Sequence, residues 1–218
     1  PMLFSDLGYL EPEESVRNDE LLLKSHSSGG IPDVVCVYSR TGPAVSLGRS
    51  SVAEESVDLD YARRNDIAIV RRTSGGSAIF SDRSQITYVA VFSDDGAARE
   101  DVFRKVCNCI IHALAHMNVH GEYKPVNDVL VDGRKISGSA QRRFRGSILQ
   151  HGTLIVADDR RTMESVLIPL KKRSATTSLE EILGRIPGRE EVVEALSVGF
   201  SSFDGSLEMR PQGAFFLL

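Results

Sequence analysis

Asn127-Asp128-Val129-Leu130-Val131-Asp132-Gly133-Arg134-Lys135-Ile136-Ser137-Gly138-Ser139-Ala140-Gln141 reads as a tight β-hairpin. The Asp132-Gly133 pair supplies the positive φ that a two-residue turn requires, and Val129, Val131, Ile136 and Ala140 surround it with apolar side chains. Strict strand alternation assigns Ile136, Gly138 and Ala140 to one face of the second arm, and Lys135, Ser137, Ser139 and Gln141 to the other. A cation and two hydroxyls are thereby expected on a wall with almost no side-chain bulk, where an acidic ligand can approach the backbone. Phosphate chemistry is the natural use of such a wall.

Outward from the hairpin, residues 149–156 read as a further strand. Residues 99–117 form the clearest helix, because Val102, Val106, Cys109, Ala113 and Met117 recur at spacings of three and four, flanked by Phe103, Ile110 and Leu114. Upstream, a helix is expected over 12–25, with Pro12 in its first turn and Glu13 and Glu14 at the positive end of its dipole. Strands follow at 34–38, 44–47, 67–70 and 85–92, with a short helix at 58–65. The last third shifts to helical patterns near 161–167, 179–183 and 190–201. Grouped strands with appended helices, rather than strict alternation of the two, predict an α+β domain with a central mixed, largely antiparallel sheet flanked by helices.

A chain of 218 residues fits one large domain or two small ones. With 41% hydrophobic and 26% charged residues its composition is that of a globular protein. The net charge of −4 argues against a general nucleic-acid binder, which presents a basic excess to phosphates. Positive charge is instead local, in Arg71-Arg72, Arg142-Arg143-Arg145 and Lys171-Lys172-Arg173, and suits either one small anionic ligand or a solvated surface. The three cysteines, Cys36, Cys107 and Cys109, lack the spacing of a zinc or redox pair, so a reducing cytoplasm is the expected setting. No apolar run is long enough to span a bilayer, and neither a membrane nor a secretory route is expected.

Arg71-Arg72-Thr73-Ser74-Gly75-Gly76-Ser77-Ala78 follows a strand, where backbone N–H groups released from a sheet can line up toward an anion. Short Ser/Gly clusters also mark ordinary turns, and this one has neither the Gly-Lys-Ser/Thr ending of a nucleotide P-loop nor a dinucleotide fingerprint. Asp82 suits loop capping better than metal binding. Cys107 and Cys109 fall within the helical pattern and read as packing, and His112, His116 and His120 share no metal geometry with them, so no metal site is expected in the protein itself.

Three ordered segments resemble the lipoate-protein ligase A family of the biotin and lipoate ligase and transferase superfamily. They are residues 71–82 continuing to Ile86-Thr87-Tyr88, residues 127–142 with Gly133-Arg134-Lys135-Ile136-Ser137-Gly138-Ser139-Ala140, and His151-Gly152-Thr153-Leu154. Weaker similarity covers Asn18-Asp19-Glu20 and Leu47-Gly48-Arg49. The resemblance implies a catalytic domain of the class II synthetase and biotin-ligase type. It implies activation of lipoate by ATP, with Mg2+ balancing the triphosphate, to lipoyl-AMP, and transfer to a lysine of a carrier. The carriers implied are lipoyl domains of 2-oxoacid dehydrogenase complexes or the glycine cleavage H protein. By resemblance Lys135 is catalytic, contacting acyl and phosphate oxygens. Arg71, Arg72 and the backbone of Ser74, Gly75, Gly76, Ser77 and Ala78 hold the lipoyl or phosphate part, Asn127 and Asp128 the nucleotide side, with Ser137, Gly138, Ala140 and His151 completing the site. A histidine entering a strand, as His151 does, is usually a satisfied core or edge residue.

The pattern departs from the family at Ser77 and Ser81, where many members have a glycine and a histidine. Residues 1–218 are expected to be a single catalytic domain without the family's C-terminal accessory domain, whose role is expected to fall to a separate subunit. Two rivals remain. An ATP-independent octanoyl or lipoyl transferase would need a cysteine near the cleft, and no cysteine follows Cys109. A noncatalytic lipoate-binding relative would keep the pocket without turnover.

Overall fold

Strand β1 (Met2–Leu10) leads into helix α1 (Pro12–Ser27), whose first turn is closed by a reciprocal pair: the Glu11 side chain accepts from the Glu14 amide while Glu14 reaches back to the Glu11 amide. There follow β2 (Val34–Arg40), β3 (Ala44–Leu47), α2 (Ala53–Ser56), α3 (Leu59–Arg64), β4 (Ala68–Arg71), β5 (Ile79–Ser81), β6 (Gln85–Ser93) and α4 (Arg99–His116). The chain then runs through β7 (Glu122–Lys124), β8 (Asp128–Val131), β9 (Arg134–Phe144), β10 (Ser147–Ile155), α5 (Arg160–Val166), α6 (Leu179–Leu183), α7 (Arg189–Ser201) and β11 (Leu207–Met209). These elements come from a computed structural model that describes residues 1–168, 174–203, 205 and 207–210. The basic cluster at 171–173 lies outside the described residues.

Eight strands form one mixed sheet in the order β11-β1-β2-β6-β10-β9-β8-β7, parallel across β11-β1-β2 and antiparallel from β2 onward. A smaller sheet of three strands, β4-β3-β5, stands apart. On one face of the large sheet, Tyr88, Ala90 and Phe92 of β6 and Ile148 and Leu154 of β10 pack against α4 and α7. On the other, Val89, Val91 and Leu149 meet Leu22 and Leu23 of α1. The α+β expectation therefore holds, and the helical stripe on α4 is the buried one: Val102, Val106, Cys109 and Ala113 are all in the core.

The turn of the central hairpin has the expected geometry, with φ of 48° at Asp132 and 72° at Gly133. Its second strand does not alternate as expected. Val129 pairs with Ser137 but Leu130 pairs with Lys135, so Ile136 has no partner on β8 and forms a bulge. Ile136 is fully buried in the α4 core, and Ser137 is buried beside it with its hydroxyl 3.1 Å from that of Tyr88. Lys135 is consequently delivered to the face of Gly138 and Ala140, not to that of Ser137 and Ser139. Beyond the last β10 pairing at Ser137, its backbone is taken up by residues 175–177: the Lys135 amide donates to Ala175 O and its carbonyl accepts from Thr177 N.

Candidate active site

Between the α1 side of the large sheet and the loop after β4 lies a cavity of about 210 Å3. Lys135, Gly138 and Ala140 of β9 form part of one wall, and Gly75, Gly76 and Ser77 part of the other. The Lys135 side chain lies flat over Gly138, where a Cβ would come within 2.4 Å of its Cε and Nζ, so the absence of a side chain at 138 is what lets the ammonium enter the cavity. Its partner is Asp128, 2.7 Å from Nζ across the hairpin. Asn127 lines the cavity and ties itself to β9 by donating from Nδ2 to the Ser139 carbonyl.

Arg72 builds the opposite wall. Only 6% exposed, it donates to Ser46 O, Gly75 O, Ser77 O and Ser74 Oγ, and burial together with nearby Arg40 lowers its pKa to about 10. Turning the Gly75 and Ser77 carbonyls toward Arg72 leaves their amides unspent: the N–H groups of Gly75, Gly76 and Ser77 donate no hydrogen bond among the described residues. Such a ribbon of amides favours negative charge. The loop is held from below as well, since a Cβ at Gly48 would lie 2.0 Å from the Gly76 carbonyl oxygen.

Behind the loop runs a buried relay. Asp19 of α1 accepts from His151 Nδ1 at 2.6 Å, and His151 Nε2 lies 2.5 Å from Ser74 Oγ. A carboxylate only accepts, so Nδ1 carries a proton, and Nε2 shares its hydrogen bond with the Ser74 hydroxyl. Tyr38 donates to the same Asp19, and burial and that carboxylate hold its phenol far above the ordinary range. The relay fixes where the loop begins relative to the sheet.

Several residues take other positions than expected. Arg71 is exposed and clamps the carbonyls of Gly48, Arg49 and Ser51, away from the cavity. Ser74, Ala78, Asp128 and Ser137 do not line it either: Ser74 serves His151, Asp128 serves Lys135, and Ser137 faces Tyr88 because of the bulge. Asp82 caps its loop by accepting from Ser84 N and Oγ. Sequence reasoning missed Tyr38, Arg40 and Ser46, which line the cavity from β2 and β3. It noted Asp19 only within a weak motif. A charged residue closing a largely apolar strand, as Arg40 closes β2, was the available signal.

The cysteines stand apart from this site. All three are buried, none lines the cavity, and burial raises the Cys36 thiol far above its usual range and pushes Cys107 up to about 12. No group of His, Cys, Asp and Glu suited to a metal occurs among the described residues. Nor is any helix among them long and apolar enough to cross a membrane.

The fold is the one shared by lipoate protein ligases and, more distantly, biotin protein ligase. The model of the lipoyl protein ligase A/B catalytic domain matches residues 11–201, and the chain belongs to that family. It is 27% identical over 236 residues to the octanoyltransferase LipM of Geobacillus kaustophilus, covering 90% of this chain and 84% of that protein. To the lipoate-protein ligase LplJ of Bacillus subtilis it is 32% identical over 152 residues, 70% of this chain and 46% of that one. A lipoate-protein ligase A bound with ATP superposes with a TM-score of 0.84 at 25% identity, over 97% of this chain and 87% of that chain. A bi-partite lipoate protein ligase from Thermoplasma acidophilum, described with its E2 lipoyl domain, gives 0.83 at 24%, over 97% and 85%.

Proposed function

We propose that this chain is the catalytic part of an ATP-dependent lipoate-protein ligase. The observation that carries the reading is the cavity itself, in which the Lys135 ammonium and the unspent amides of residues 75–77 line one space while no thiol does. In the first step a lipoate carboxylate oxygen attacks the α-phosphorus of ATP and pyrophosphate leaves. In the second, the amine of a carrier lysine attacks the acyl carbon, loses a proton, and AMP departs. Both steps build negative charge on phosphate oxygens, and a fixed donor at such a charge contributes about 2.7–4 kcal/mol in comparable enzymes. Lys135 supplies a compact point charge there, held in place by Asp128. Asn127 is assigned to the nucleotide side.

Mg2+ enters as part of the nucleotide substrate. Asp19 and Asp128 are committed to His151 and Lys135, so the cavity offers no spare carboxylate pair for a resident ion. The likeness to an ATP-bound ligase supports the nucleotide, and the T. acidophilum protein supports a lipoyl domain as acceptor and a separate accessory subunit. Lipoyl domains of 2-oxoacid dehydrogenases or the glycine cleavage H protein are the carriers we assign, and residues 1–218 the single catalytic domain.

Likeness to LipM favours a second reading, ATP-independent octanoyl transfer. A transferase working through a cysteine thioester needs an accessible, acidified thiol, and burial has the opposite effect on Cys36 and Cys107. Mass spectrometry of a lipoyl domain incubated with this protein and lipoate, with and without ATP and with and without an accessory subunit, separates the two. A lipoyl mass increment that requires ATP is expected; octanoyl transfer from a carrier without ATP would refute the ligase.

A further inference from the structure

Arg40 takes no part in the chemistry above. It ends β2, is 5% exposed, and lines the cavity. Nε donates to Ser15 Oγ at 3.2 Å and Nη1 to Ser81 Oγ at 2.8 Å. No carboxylate among the described residues lies within 4.0 Å of its nitrogens, and Nη2 donates to none of them. Asp19, the acid of this end of the cavity, is already bonded to Tyr38 and His151. A second buried guanidinium, Arg72, shares the space. Burying a cation whose partners are two neutral hydroxyls and no carboxylate is costly, so this end of the cavity is built for a ligand group with lone pairs.

Its place in the sheet says which part of a ligand that is. Between β2 and β9 lie β6 and β10, so Arg40 stands three strand spacings from Lys135, roughly 14 Å at the usual interstrand distance. An acid with its carboxyl group at Lys135 directs its tail toward Arg40. We propose that Arg40, braced by Ser15 and Ser81, is a specificity-determining residue that reads the far end of the acyl chain. It favours acids ending in hydrogen-bond acceptors, as the dithiolane sulfurs of lipoate are, over acids ending in plain alkyl, such as octanoate. Sulfur is a weak acceptor but a polarizable one, and guanidinium is weakly hydrated, so the two suit each other. A terminal methyl instead leaves Nη2 desolvated and unpaired.

This inference rests on the proposed placement of the carboxyl group at Lys135. Calorimetric titration of the purified chain with lipoate and with octanoate tests both and needs no turnover. The wild type is expected to bind lipoate about tenfold or more tighter than octanoate. Arg40→Met is expected to weaken lipoate and strengthen octanoate, bringing the two within about threefold; a gain for octanoate cannot come from misfolding. Arg40→Lys, which keeps the charge, retains part of the preference. Equal binding of both acids by the wild type, or an unchanged ratio in Arg40→Met, would overturn the role of Arg40 and leave the acyl pocket standing. Binding of neither acid would overturn the pocket as well.

Discussion

Lys135 and Arg72 face one cavity from opposite walls, and their surroundings differ in kind. The lysine side chain is 32% exposed, has a single carboxylate partner and rests on a residue without a side chain. The arginine is buried and spends its donors on four acceptors drawn from β3 and the loop after β4. One cation is held at the cavity by a single side chain, and the other is fastened to the backbone it shapes. Adjacent in sequence to Arg72, Arg71 is a second fastener, so the arginine pair is chiefly architecture, and the reacting charge we propose is the lysine's.

Substitutions can break that division. Lys135→Ala is expected to lower the rate of pyrophosphate release about 10²–10³-fold while the stability against thermal unfolding falls by only about 1–2 kcal/mol, the scale of one partly buried ion pair. Comparable losses in both measurements would erase the contrast. Arg72→Met should do the reverse, costing about 3 kcal/mol in chemical denaturation because four acceptors, two of them fully buried, lose their donor. Gly138→Ala sharpens the comparison further: the new methyl must lift the lysine tip, so kcat should fall about ten- to a hundredfold with stability nearly unchanged. An active Gly138→Ala enzyme would mean that Lys135 reaches the reaction from another direction. Smallest of all is the expected effect of a thiol reagent. At pH 8 Cys107, with its pKa near 12, carries almost no thiolate, and Cys36 less, so the native protein should neither react nor lose activity, and rapid labelling would revive the cysteine-based transferase.

Much of this was legible in the chain. Regular periodicity marked α4, β6 and the hairpin to within a few residues, because burial on one face enforces a repeat that composition displays. Strand β1 was not foreseen, although seven of its nine residues are buried, since a strand covered on both faces shows no alternation. Three-residue strands such as β5 and β7 carry too few residues for any period. In the site, the glycine loop and Lys135 were visible as local motifs. Tyr38 and Arg40 were not, because they join the site only through pairing of β2 with β6, a long-range event that no local pattern encodes. The face of Lys135 was misread for a related reason: alternation assumes regular pairing, and the bulge at Ile136 depends on the partner strand.

That unpaired isoleucine makes the hairpin an arithmetic device. With Ile136 set aside, Lys135 occupies the slot two steps from Gly138, so deleting the isoleucine would even out the ladder, keep the ammonium where it is, and sacrifice only a piece of core. Lengthening β8 by one residue between Val129 and Leu130 would give Ile136 a mate and roll Lys135 to the opposite side, silencing the enzyme without altering a single group that touches substrate. Shortening one strand and lengthening its neighbour both remove the irregularity, yet in the assay for pyrophosphate release only the second should be fatal.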